Sequence, residues 1–278
     1  MTATAPRPVP PQAPAIRCDS YGLKLQPAPW RFTLLHDRPD DVLLWVTRGQ
    51  GRVIVNGVRR GISMNTALYL PAGTLFSVDL APQAQALLVE CPGGRVGILP
   101  KTALLLRVRD SLSQAELTGE IDAMTRETQR GRAYLDDALE AHMRLIAVWL
   151  HRQTAGGAGE EPPDSAAHRL ARRYAQAVVR SYAGPHPMGA FAEALDVTPT
   201  HLTRACRAAC GRTAAEILTE RRLHAARDLL ETGTPSIKEI AQRLGFASPA
   251  YFTRFIRNHT GASPSELRFR ARTRPARA

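Results

Sequence analysis

The chain has 278 residues, with 37 Lys and Arg against 25 Asp and Glu and a formal net charge of +12, which is long enough for two domains with separate cores. Residues 1–165 carry 18 basic against 17 acidic side chains and residues 166–278 carry 19 against 8, so the excess charge is confined to a C-terminal half suited to phosphate. Cys18, Cys91, Cys206 and Cys210 are too few and too scattered for a disulfide framework, and no run approaches the ~18 apolar residues of a membrane span, so a cytoplasmic chain with no membrane partner is expected.

Residues 1–15, MTATAPRPVPPQAPA, are proline-rich and lack an apolar h-region, which predicts a disordered tail and not a signal peptide. Residues 16–100 then alternate short apolar runs with turn signals: Gly49-Gln50-Gly51, Asn56-Gly57 and Pro71-Ala72-Gly73. That series predicts a small antiparallel barrel, and barrels of this size can enclose one small ligand. Arg31, Trp45, Tyr69 and Phe76 are the candidate lining of such a pocket, with core or rim packing as the alternative for each.

A barrel that holds iron or manganese needs several imidazole and carboxylate ligands converging on open coordination positions. His36 is the only histidine before His142, and the strands carry no His-x-His pair. We therefore expect no metal, no cofactor and no catalytic residues in this domain.

Residues 101–153 read as a helical pair, with helices expected over 113–130 and 133–153. In the second, Leu135, Leu139, Met143, Ile146 and Leu150 form a narrow stripe of coiled-coil type. Such a stripe packs either on its own barrel or on a second copy of the chain. Residues 154–165, TAGGAGEEPPDS, lack periodicity and read as a flexible linker that leaves the two halves free to reorient.

The C-terminal domain spans 166–270, followed by a basic tail over 271–278. Its most informative stretch is 240–268, IAQRLGFASPAYFTRFIRNHTGASPSELR. Ala241, Leu244 and Phe246, then Phe252, Phe255 and Ile256, continue one apolar stripe across a break at Gly245, the pattern of a helix-turn-helix over about 238–260. Ser248 is placed to cap the second helix and Pro249 occupies its first turn. A second copy lies about fifty residues upstream, over about 189–210, where Thr198, Pro199, Leu202, Thr203, Arg204, Cys206 and Arg207 match Ser248, Pro249, Phe252, Thr253, Arg254, Ile256 and Arg257. Cys206 thus aligns with a core position, which favours a small buried side chain over a metal or redox role. Both units exit through capping-box spacing, Thr213 with Glu216 and Ser263 with Glu266, and a long helix from Thr213 to about Glu231 joins them.

Two units joined in this way, the second phrased G-F-x-S-x-x-Y-F-x-R-x-F and then G-x-S-P, resemble the AraC/XylS family of bacterial transcription regulators. Leu267 departs from the pattern, where the family usually has an aromatic residue. The phrasing LWVTRGQGRVIVNG, followed by Leu68-Tyr69-Leu70-Pro71-Ala72-Gly73, is similar to the cupin-like N-terminal domains of such regulators. The resemblance implies an α+β two-domain chain: a cupin-like β-barrel with a helical pair, then an all-α domain with two helix-turn-helix units. It further implies double-stranded DNA, a small-molecule effector, RNA polymerase and a homodimer as partners.

With Leu202, Cys206, Phe252 and Ile256 turned inward, Thr200, Thr203, Arg204, Arg207, Pro249, Ala250, Thr253, Arg254 and Arg257 are the outward, candidate DNA-binding set. By resemblance Thr200, Thr203, Arg204, Pro249, Ala250, Thr253 and Arg254 approach bases, with a structural ion pair as the alternative for Arg254, while Arg207 and Arg257 meet phosphate or cap the fold. Two other readings stay open, an enzyme of cupin type fused to a DNA-binding module and an effector-independent architectural DNA-binding protein.

Overall fold

The computed structural model describes residues 15–25 and 28–273. The proline-rich segment up to residue 14 and the end of the basic tail lie outside them. Eight strands form two antiparallel sheets: β1 (Arg17–Ser20), β2 (Asp40–Arg48), β3 (Gln50–Val55), β4 (Val58–Ser63), β5 (Thr66–Leu70), β6 (Phe76–Leu80), β7 (Gln85–Pro92) and β8 (Leu104–Arg107). One sheet runs β1-β7-β2-β5-β8 and the other β4-β3-β6. Two short helices, α1 (Tyr21–Leu25) and α2 (Trp30–Thr33), interrupt the β1 to β2 connection, and the turn signals of the sequence do not announce them.

Side-chain alternation divides the five-stranded sheet into two buried faces. Val42, Leu44 and Val46 of β2 point towards the three-stranded sheet and share a core with Val53, Ile62, Phe76 and Val78. Leu43 and Trp45 point the other way, into a core with Tyr69, Val89 and the helices α3 (Ser111–Arg130) and α4 (Leu135–Ala155). Burial of Val42 through Val46 on both faces is the reason this strand reads as a continuous apolar run. Each large side chain taken out of water here contributes about 2 to 3 kcal/mol. The Trp45 indole N–H donates to the Thr118 hydroxyl at 3.0 Å and the Trp149 indole N–H to the Ser113 carbonyl at 3.0 Å, so the two rings leave no unpaired polar atom against the sheet.

The stripe on α4 is therefore satisfied within the chain. Leu139, Met143, Ile146 and Leu150 are each at most 1% exposed and pack on α3 and the sheet, with Leu135 partly buried beside them. This corrects the dimer reading of that stripe, because an amphipathic face specifies that it is covered and not by what.

The segment after α4 is tied down. Arg107 N–H donates to the Ala158 carbonyl at 2.9 Å and Glu160 N–H to the Leu105 carbonyl at 2.8 Å, adding a short strand-like stretch to the edge of β8. Hydrogen bonding to an open sheet edge overrides the local Gly/Pro composition, so the expectation of a free linker is replaced by one of a docked linker.

Beyond it, all remaining elements are helical: α5 (Ala166–Ser181), α6 (Met188–Glu193), α7 (Pro199–Cys210), α8 (Ala214–Thr232), α9 (Ile237–Arg243), α10 (Pro249–Thr260) and α11 (Pro264–Arg272). The N-terminal domain sits against them through Leu35, Ile54 and Leu75, which join the core of α5 to α8. The Asn56-Gly57 turn lies on α5; a Cβ at Gly57 would come within 2.8 Å of the Ala171 carbonyl oxygen, and its φ of +74° is itself in the left-handed region. Among the described residues no helix is long and apolar enough to cross a membrane.

Candidate DNA-binding surface and ligand pocket

The two helix-turn-helix units are built by the same local chemistry. In the first, the Thr198 side chain accepts from His201 N–H at 3.2 Å, Pro199 opens α7, and Gly211 ends it at φ 78° with its N–H on the Arg207 carbonyl. In the second, the Ser248 side chain accepts from Tyr251 N–H at 3.1 Å, Pro249 opens α10, and Gly261 ends it at φ 71° on the Arg257 carbonyl. Both following helices carry complete capping boxes, Thr213 with Glu216 and Ser263 with Glu266. Hydrogen bonds to the backbone hold the Glu216 and Glu266 carboxyls below their usual range, and the charges of Arg207 and Arg257, respectively, add to that effect.

The second turn is longer by one residue, Ala247, and the left-handed position is filled by different residue types. Asp196 takes φ 57° in the first unit, where Gly245 takes φ 71° in the second. At Gly245 the requirement is double, because a Cβ would also lie 2.5 Å from the carbonyl carbon of Gly184.

Leu202, Cys206, Phe252 and Ile256 are fully buried, which fixes the opposite faces of α7 and α10. Thr200, Arg204, Arg207, Pro249, Ala250, Arg254 and Arg257 are exposed, and Thr203 and Thr253 are half-buried. The Thr253 hydroxyl donates to the Pro249 carbonyl at 2.9 Å. The Arg254 guanidinium lies 5.5 Å from the Tyr251 ring centroid. Among the described residues the ion pairs of this domain are made by other arginines, including Arg169, Arg172, Arg212, Arg221 and Arg227, and none by Arg204, Arg207, Arg254 or Arg257. The helix α8 that spaces the units has 19 residues, hence a length of about 28 Å.

The Helix-turn-helix domain family matches residues 191–270. Over 82 residues the chain is 38% identical to the HTH-type transcriptional regulator GlxA of Rhizobium meliloti (strain 1021), a match covering 30% of this chain and 25% of that protein. The C-terminal domain is an AraC-type helix-turn-helix domain. The chain thus spans about a quarter of the length of that curated relative. Among solved structures, ToxT from Vibrio cholerae O395 is 17% identical, covering 94% of this chain and 99% of that one at a TM-score of 0.43. ToxT from Vibrio cholerae strain SCE256 with unsaturated fatty acid bound is 18% identical, covering 86% and 89% at 0.42. The C-terminal domain of AraT, a response regulator from Geobacillus stearothermophilus, is 29% identical, covering 41% and 92% at 0.36.

The AraC-type domain keeps its cysteines as packing groups. Cys206 and Cys210 are buried, and burial pushes the Cys206 thiol up to about 12, so neither is poised as a thiolate.

Outside the AraC-type domain the four residues expected around a ligand do not meet. Trp45 and Tyr69 face α3 and α4, Phe76 lies in the core between the sheets, and Arg31 sits on α2 beside Asp228 of α8 at 3.6 Å. The alternation of a strand gives two faces without saying which one is hollow. The cavity between the sheets is lined instead by Val53, Val58, Leu68 and Leu105 with Arg60, and it extends to Pro162 of the linker and Arg172 of α5. Its volume is about 190 Å³. One signal in the sequence points to it: Arg60 shares the inward face of β4 with Val58 and Ile62, where a charge needs a partner.

His36 is not placed as a metal ligand. Its Nδ1–H donates to the Leu34 carbonyl at 2.9 Å and its Nε2 accepts from Arg38 at 3.1 Å, so both ring nitrogens are engaged.

Proposed function

We propose that the chain is a sequence-specific DNA-binding transcription regulator, and that its N-terminal domain, read as a cupin-like barrel, senses a small molecule. The single observation that carries the first part is the pair of identically capped helix-turn-helix units, each turning an unpaired arginine-rich face outward. A spacer of about 28 Å is near the ~34 Å of one DNA turn, so Thr200, Thr203 and Arg204 would enter one major-groove segment and Pro249, Ala250 and Thr253 the next, with Arg254 at the phosphates beside it. Arg207 and Arg257, at the last turns of their helices, are assigned to phosphate. A cytoplasmic location, a homodimer and contact with RNA polymerase complete the reading on family resemblance.

Support for the sensory part is the apolar cavity between the sheets, which reaches the first helix of the DNA-binding domain. Footprinting of the purified chain on the DNA flanking its own gene tests the reading. Protection of two segments about one helical turn apart is expected; uniform, sequence-independent protection would favour an architectural protein instead.

A further inference from the structure

The polar side of the inter-sheet cavity carries more positive than negative charge. Arg60, only 13% exposed, donates to the Glu160 carboxylate at 2.8 Å and to the Glu160 carbonyl at 3.1 Å. Glu160 also pairs with Arg107. Arg172 donates to the Pro163 carbonyl at 2.9 Å and pairs with Asp164, which is shared with Arg169 at 3.1 Å. Arg60 and Arg172 of the cavity wall thus share two carboxylates with Arg107 and Arg169 outside it, and both carboxylates belong to the linker. A buried guanidinium requires an anion or several acceptors to offset its lost hydration, and here the linker supplies a minimum. The remaining wall is aliphatic, from Val53, Val58, Leu68 and Leu105.

Size narrows the occupant further. An engineered apolar cavity of about 150 Å³ holds benzene, so about 190 Å³ suits a molecule of one ring or a short branched chain. We infer that this cavity binds a small apolar monocarboxylate, whose carboxylate takes Arg60 and Arg172 in place of the linker carboxylates Glu160 and Asp164. The inference rests on the reading of the N-terminal domain as a ligand sensor and names both its ligand class and its output. Ligand entry removes the Arg60 and Arg172 share of the hold on residues 160–164, leaving the pairs of Arg107 with Glu160 and Arg169 with Asp164 and two backbone bonds, Arg107 N–H to Ala158 and Glu160 N–H to Leu105, to keep the linker in place. The linker then changes the way the DNA-binding domain is tethered, because Arg172 and Arg169 lie on its first helix.

The full chain should be titrated with 4-fluorobenzoate and with the neutral 4-fluorobenzyl alcohol, following the fluorine resonance. The acid is expected to bind saturably and at least tenfold more tightly than the alcohol. Arg60→Gln should erase that preference while leaving alcohol binding intact, and Glu160→Gln, which removes the competing carboxylate, should tighten acid binding several-fold. Proteolytic cleavage within 156–164 should accelerate on adding the acid and not the alcohol. Equal binding of acid and alcohol, or an unchanged acid affinity in Glu160→Gln, would overturn the carboxylate class and the exchange, with ligand sensing still standing. Binding of neither compound also overturns the inference. The sensor reading is then judged separately by Ala103→Trp, which fills the cavity from its half-buried rim: regulation of a footprinted promoter is lost if the cavity senses any ligand and unchanged if it senses none.

Discussion

The imidazoles of His36 and His224 stack across the domain boundary, with ring centroids 4.2 Å apart and planes within 3° of parallel. His36 belongs to the connection between α2 and β2 and His224 to α8, the helix that spaces the two helix-turn-helix units. Arg38, Arg221 and Arg31 surround the pair, and Arg221 is itself anchored by Asp37 and lies 3.6 Å over the Tyr182 ring. Burial first, then the facing cationic groups, hold both rings neutral: His224 is pushed down to about 3 and His36 well below its ordinary value.

That pairing predicts a domain interface that weakens in acid. Freed histidines titrate near 6.5 and the stacked ones much lower, so the separated or unfolded state binds more protons below about pH 6.5. Interface stability should be level above that pH and fall by up to about 1.4 kcal/mol per pH unit per histidine between it and the lower folded values. Thermal unfolding of the full chain at pH 7.5, 6 and 5 measures this. His224→Phe should lose about half of the dependence; an identical pH profile in the variant would rule out the stack as its source.

Gly245 should be the least replaceable position of the second turn. Gly245→Ala must hold a Cβ at φ 71° and 2.5 Å from Gly184, and should cost about 2 kcal/mol or more, read as a lowered melting temperature of the C-terminal domain. Asp196→Gly at the matching place relieves a left-handed non-glycine residue and should change stability by less than about 1 kcal/mol. Equal effects at the two sites would contradict the structural difference between the turns.

The aligned arginines should separate by role. Arg204 has no aromatic or acidic neighbour among the described contacts, whereas Arg254 lies against Tyr251. Arg204→Ala should cost about 1 to 3 kcal/mol on the cognate site and relax the preference at one or two base pairs. Arg254→Ala should weaken all sequences alike and lower the salt slope by about 1, as a lost phosphate contact does, or else lower the melting temperature if its packing on Tyr251 is structural. Binding selections with both variants decide this, and a change of base preference in Arg254→Ala alone reverses the assignment.

Much of the C-terminal domain was legible because its signals are local. The Thr213–Glu216 and Ser263–Glu266 boxes, the prolines at 199 and 249 and the inward Leu202 and Phe252 each act within one or two helical turns. The N-terminal domain was legible as strands and turns and no further. Trp45 and Tyr69 lie on strands buried on both faces, so polarity does not mark the hollow side, and the stripe from Leu135 to Leu150 carries no mark of its partner. Contacts such as His36 with His224, or Arg60 with Glu160, join residues far apart in the chain through packing of whole domains, which periodicity does not encode.

The central claim, that two equivalent helix-turn-helix units read adjacent major-groove segments, is tested most directly by selecting bound sequences from a randomised duplex with the full chain at near-physiological salt. Two enriched segments centred about 10 base pairs apart are predicted, one of them degraded by Arg204→Ala while the other persists. Enrichment of a single segment insensitive to Arg204→Ala, or of no sequence at all, would contradict the account.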